Sequence, residues 1–102
     1  MARVIWARRA LNDLGNLIEY IAEDAPAAAR RVAQRLFAKV EVLEQQPLLG
    51  AFVPEDVSGT YREVRQGKYR IIYRIEGDTV FVLALHHGAR LLDTQDLSSD
   101  AE

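Results

Sequence analysis

The spacing of apolar residues changes along the chain, and each change marks a different kind of element. Val4, Ile5 and Trp6 open it as a short strand-like run. Leu11, Leu14, Ile18 and Ile21 then recur at three- and four-residue intervals, with Leu17 widening the stripe, which predicts an amphipathic helix from about Arg8 to Glu23. Gly15 lies inside it at a cost of ~1 kcal/mol relative to Ala, so this helix depends on packing more than on propensity. Asp24-Ala25-Pro26 interrupts the pattern, and Pro suits the first turn of a new helix. That second helix is expected from about Pro26 to Gln45, with Ala29, Val32, Ala33, Leu36, Val40 and Leu43 as its apolar stripe. The short connection between the two implies an antiparallel helical hairpin.

After Gln46-Pro47-Leu48-Leu49-Gly50 the chain runs through a linker rich in Pro, Gly and acid, past Glu55, Asp56 and Gly59. From Tyr61 the period drops to two. Three strand-like segments follow, separated by Gly67 and by Glu76-Gly77-Asp78, the pattern of consecutive hairpins. Tyr69, Ile71, Tyr73 and Ile75 share one face, whereas Lys68, Arg70, Ile72 and Arg74 share the other. The expected fold class is α+β: a small, mostly antiparallel four-stranded sheet packed against an N-terminal helical hairpin, in the order β-α-α-β-β-β. The hairpin would cover the apolar face and leave the basic face open. Residues 1–92 form the expected domain, with 93–102 as an acidic, flexible tail.

Length and charge narrow the function. A chain of 102 residues builds one core. No apolar run approaches the ~20 residues needed to span a bilayer, so the expected location is the cytoplasm and no membrane partner is expected. The absence of cysteine excludes disulfides, thiolate catalysis and cysteine-ligated metal sites. A net charge of −2 argues against direct DNA binding by this chain alone, because phosphate binding is driven by excess Lys and Arg. Distribution matters more than the sum: residues 61–90 carry six basic and three acidic side chains, whereas 91–102 carry four acidic ones and no basic one. His86 and His87 are adjacent on a strand without nearby ligands, and no Gly-rich phosphate loop precedes a helix, so neither metal nor cofactor is expected.

Taken together, the helix pair with its Pro47-Leu48-Leu49-Gly50 exit, Tyr61-Arg62-Glu63, Gly67-Lys68-Tyr69-Arg70-Ile71-Ile72-Tyr73-Arg74 and His87-Gly88-Ala89-Arg90 resemble the RelE/ParE superfamily. Its members are toxins of bacterial type II toxin–antitoxin modules, with roles in growth arrest and plasmid stabilisation. The resemblance covers about residues 3–92 and implies a small sheet cradling a helical hairpin. It also implies a cognate antitoxin, whose flexible segment folds onto the toxin. The apolar residues Trp6, Leu17, Ile21, Val32 and Leu36 are the candidate docking surface for it.

Two mechanisms exist within the superfamily. RelE-like members cut messenger RNA on the ribosome without metal, which requires a base for the 2′-hydroxyl, cations for the phosphorane and an acid for the leaving oxygen. Arg62, Arg70, His87 and Arg90 are the candidate catalytic residues on that reading. Val64 stands where such enzymes carry a second lysine, and no tyrosine follows Tyr73. ParE-like members act on DNA gyrase and need a binding surface but no catalytic base. The resemblance is closer to these, with Arg62, Arg65, Lys68, Arg70 and Arg90 as the anion- or target-binding set. A third alternative is a homologue that binds antitoxin and has no activity.

Overall fold

The structure, a computed structural model, describes residues 1–98. Strand β1 (Arg3–Trp6) leads into α1 (Arg8–Ala22) and α2 (Pro26–Gln45), followed by β2 (Ala51–Phe52), β3 (Tyr61–Gln66), β4 (Tyr69–Glu76), β5 (Thr79–His87) and a short α3 (Gln95–Ser98). The α+β class and the helical hairpin are as expected. The sheet has five strands rather than four, in the order β1-β5-β4-β3-β2. The additional strand is a two-residue edge inside the predicted linker, too short to produce a periodic signal. β1 pairs with β5 in parallel, while the remaining pairings are antiparallel.

Gly67 and Gly77 each hold the first central position of a two-residue hairpin loop with φ of 60°, the role glycine fills in a type II′ turn. The loops fix the register: Arg65 lies opposite Arg70, and Glu63 opposite Ile72. Between β4 and β5 the register slips once. Ile72 pairs with Ala84 and Tyr73 with Val82, so Leu83 is an extra residue, a β-bulge. Leu83 and Ala84 consequently lie on the same face.

The helix face of the sheet holds the larger core, in which Ala10 and Leu14 of α1 and Leu36, Val40 and Leu43 of α2 pack on Val64, Ile71, Tyr73, Val80, Val82 and Leu85. The predicted α1 stripe is rotated slightly from expectation: Leu11 is half exposed and Ala10 fully buried, because the small side chain permits close approach to the sheet. Tyr73 is buried among these groups, and its hydroxyl donates to Pro47 O and accepts from Gly50 N–H, tying the helix exit to β4. Beyond the end of β1, the Leu85 N–H of β5 donates to the Asp13 carboxylate of α1 at 3.0 Å, so a helix side chain closes the strand edge.

The opposite face is not open. Ala7, Val53, Tyr61, Ile72, Leu83, Ala84, Leu92 and Leu97 form a second apolar cluster there. The chain after β5 supplies Leu92 and Leu97, so part of the stretch set off as a flexible tail packs on the sheet; residues 99–102 lie outside the described residues.

Candidate target-binding site

The expected basic face is rearranged by register and by two carboxylates. Arg70 is 2% exposed. Its Nε donates to Glu63 Oε1 at 2.8 Å, its Nη1 to Glu55 Oε2 at 3.0 Å and its Nη2 to Glu55 Oε1 at 2.7 Å, with a further Nη2 contact to Glu63. Four of the five guanidinium N–H groups are thereby engaged. Arg70 therefore balances two acids in the interior and does not face an external anion.

Glu55 is the pivot of this cluster. Besides Arg70, it accepts the Leu92 N–H at 3.0 Å, so one carboxylate joins the loop before β3, strand β4 and the segment after β5. Hydrogen bonding from Arg70 holds its carboxyl far below the usual range, at about 2, against the opposing effect of burial. The loop that carries it is closed by Asp56, which accepts from the N–H groups of Ser58, Thr60 and Tyr61. Burial works against the Asp56 charge, yet the Ser58 hydroxyl, which donates to it at 2.6 Å, and these backbone N–H groups prevail and lower its pKa.

Arg62 lies on the helix face, opposite Tyr73. Its guanidinium stacks over Phe52 at 4.2 Å and its Nη1 donates to Gly50 O at 2.8 Å, which makes it a clamp on the helix exit and the β2 edge. Arg74 pairs with Glu76 at 2.6 Å and stacks over Phe81 at 4.4 Å. Arg65 remains on the Arg70 face with a side chain 59% exposed and, among the described residues, a single ion pair, a long one of 3.5 Å to Glu63. Arg90 lies in the turn after β5, exposed, and its side chain has no polar partner among the described residues. Arg65 and Arg90 share a shallow depression of about 450 Å³ with Glu55, Arg70, Gly88 and Leu91.

The bulge decides which histidine joins them. Unbroken alternation from Val80 would put His87 with the arginines, but the extra residue at Leu83 reverses the remainder of the strand. His86 is opposite Arg70, its Nε2 3.0 Å from Arg90 O, while His87 is opposite Tyr69 on the helix face and packs edge-on against that ring at 5.8 Å. The set Arg62, Arg70, His87 and Arg90 is thus not brought together: two members are on the other face and one is caged. Val64 is buried in the helix-side core. Glu55 and Glu63 were not foreseen as members of this region; that only one of the two adjacent histidines would face it was, and it is His86 rather than His87.

The candidate docking residues divide as well. Ile21, Val32 and Leu36 line a groove of about 390 Å³ with Tyr20 and Tyr69, and Arg35 and Lys68 stand at its edges. Trp6 lies in a separate recess, against Phe37 at 5.3 Å and beside Glu41 and Glu44, and Leu17 packs at the margin of the main core. Among the described residues no helix is long and apolar enough to cross a membrane, and no group of three or more His, Asp or Glu could hold a metal ion.

A helical hairpin on a small five-stranded sheet, with the exposed Arg65 and Arg90 beside a caged Arg70, is the architecture of a small toxin of the RelE/ParE type. Residues 4–92 match the family described as the ParE toxin of type II toxin-antitoxin system, parDE. The chain is 36% identical over 92 residues to Toxin RelE2 of Caulobacter vibrioides, covering 89% of this chain and 100% of that one. Among solved structures it resembles the chromosomal ParDE system from P. aeruginosa, with a TM-score of 0.73 at 22% identity over 85% of this chain and 96% of that one. It also resembles the RelBE2 toxin–antitoxin complex from Mycobacterium tuberculosis, with a TM-score of 0.58 at 26% identity over 84% and 96%. The chain belongs to the ParE toxin family of type II toxin–antitoxin systems.

Proposed function

We propose that this toxin arrests growth by inhibiting DNA gyrase through a binding surface, without catalysing a reaction, and that a cognate antitoxin neutralises it in the cytoplasm. The observation that carries this reading is the caging of Arg70 by Glu55 and Glu63. A phosphate-cleaving site needs cations free to receive the charge that develops on the phosphorane. Here the most buried cation is already neutralised, and Arg62 and His87 are on the opposite face. An inhibitor that works by contact has no such requirement.

The antitoxin's docking site on this reading is the groove between the hairpin and the β3–β4 turn. Its apolar floor of Ile21, Val32 and Leu36, with Arg35 and Lys68 at its edges, suits an amphipathic segment carrying acidic residues. Ribosome-dependent cleavage of messenger RNA is the second reading, and the position of His86 opposite Arg70 is the feature that favours it.

The test is a supercoiling assay with purified gyrase and toxin. Inhibition relieved by the co-purified antitoxin is expected. Intact supercoiling at excess toxin, with A-site cuts in translated messenger RNA by primer extension, would replace this reading by the second.

A further inference from the structure

We infer that Arg65 and Arg90 form a socket for a single carboxylate from an acidic side chain of a protein partner. The inference rests on the gyrase reading for the identity of that partner, but its chemistry is read from the depression itself. The depression is lined by Arg65, Arg70 and Arg90 with Glu55, and Glu63 is bonded to Arg70 and touches Arg65. Three guanidiniums against two carboxylates leave a formal charge of +1. That balance is matched by one carboxylate and is poorly suited to a nucleic-acid strand, whose closely spaced phosphates require an excess of cations along their path.

The division of labour among the arginines is geometric. Arg70 has one N–H left over after its four bonds to Glu55 and Glu63, so its charge is engaged by those two carboxylates. Arg65 and Arg90 present forked donors at the surface, the geometry that receives a carboxylate in two parallel hydrogen bonds. Gly88 positions the first of them. A Cβ built there would lie 2.9 Å from Arg65 Nη1 and 3.1 Å from Lys68 O, so only glycine lets the Arg65 guanidinium settle against the backbone of this turn. The turn itself is braced by Gly88 N–H to Lys68 O at 2.8 Å and Arg90 N–H to His87 O at 3.0 Å, which fixes the backbone that carries Arg90.

The experiment follows the arginine Nε–H signals of the full chain by NMR during titration with the blocked peptide Ac-Ala-Glu-Ala-NH2, its Gln counterpart and a ten-nucleotide RNA. The Glu peptide is expected to move the Arg65 and Arg90 signals saturably and leave Arg70 in place. The Gln peptide should move none. In Arg65→Gln the Arg90 response, and in Arg90→Gln the Arg65 response, should weaken sharply, and in Gly88→Ala the Arg65 response should weaken while the melting curve stays close to wild type. The double variant Arg65→Gln/Arg90→Gln should inhibit gyrase ~10-fold more weakly. Equal responses to the two peptides, no response to either, or an RNA that binds more tightly than the Glu peptide with a steep salt dependence would overturn the inference. A wild-type chain that leaves supercoiling untouched refutes the gyrase reading, while the peptide titration still decides the socket. Wild-type inhibition retained in the double variant overturns the socket alone.

Discussion

The two faces of the same sheet solve the burial problem differently. On the helix face two amphipathic helices bring aliphatic side chains onto β-branched and aromatic strand residues, and the cluster is apolar apart from the tethered Tyr73 hydroxyl. On the other face a smaller apolar patch is bordered by a buried ion cluster, Arg70 with Glu55 and Glu63, and closed by Leu92 and Leu97 from the chain's last described segment. The helix face draws its stability from area removed from water. The second face depends on every charge retaining its partner, since a buried ion without one is far more costly than the pair is favourable. An arginine in a family motif can therefore serve the fold rather than the target.

The largest expected effect comes from breaking the ion cluster from one side. Arg70→Met should leave two acids facing each other in the interior and cost ~3–5 kcal/mol of stability in urea unfolding. Arg65→Gln at the exposed position should change it by less than ~0.5 kcal/mol. A similar loss from the two substitutions would erase the distinction between caged and exposed arginines.

Leu36→Ala on the helix face and Leu97→Ala on the other compare the two cores directly. The first should cost ~3–4 kcal/mol and the second ~2 kcal/mol, because the terminal segment can shift to fill the void left by Leu97. Equal costs would mean that the second face is packed as firmly as the first.

Acid separates the faces next. The folded-state pKa of Glu55 is held down at about 2, so its contribution is fully present above the ordinary carboxylate value of 4.5 and is lost as pH falls from there toward 2. Urea midpoints measured across that window should fall more steeply for wild type than for Glu55→Gln, whose cluster is already impaired at neutral pH. Parallel curves would assign the acid sensitivity elsewhere. Among the substitutions at buried contacts the smallest effect is expected at Asp13→Ala, which strands the Leu85 N–H beyond the end of β1 and should cost ~1–2 kcal/mol in the same assay.

Most of the architecture was legible in periodicity. The α2 bounds and the faces of Tyr69, Ile71 and Tyr73 follow from apolar spacing alone, because long amphipathic elements repeat their signal. β2 was not legible, since two residues carry no period. The site was harder to read for two physical reasons. The bulge at Leu83 inserts one residue and reverses which histidine faces the arginines, and no alternation pattern announces it. The Arg70 cage draws Glu55 from a loop whose path is set by Asp56 hydrogen bonds rather than by hydrophobic pattern. Glu63 could have been found: the two-residue turn at Gly67-Lys68 sets Arg65 opposite Arg70, and Glu63 then falls diagonally beside Arg70 on the same face. Arg62 could likewise have been assigned to the other face by counting back from that turn.

Arg70 is a sequestered structural cation, set apart from the exposed Arg65 and Arg90. Hydrogen exchange at the arginine Nε–H groups, read in one NMR series at neutral pH, tests it most directly. Arg70 should exchange ~100-fold or more slowly than Arg65 and Arg90. Exchange at Arg70 as fast as at the two surface arginines would contradict the account.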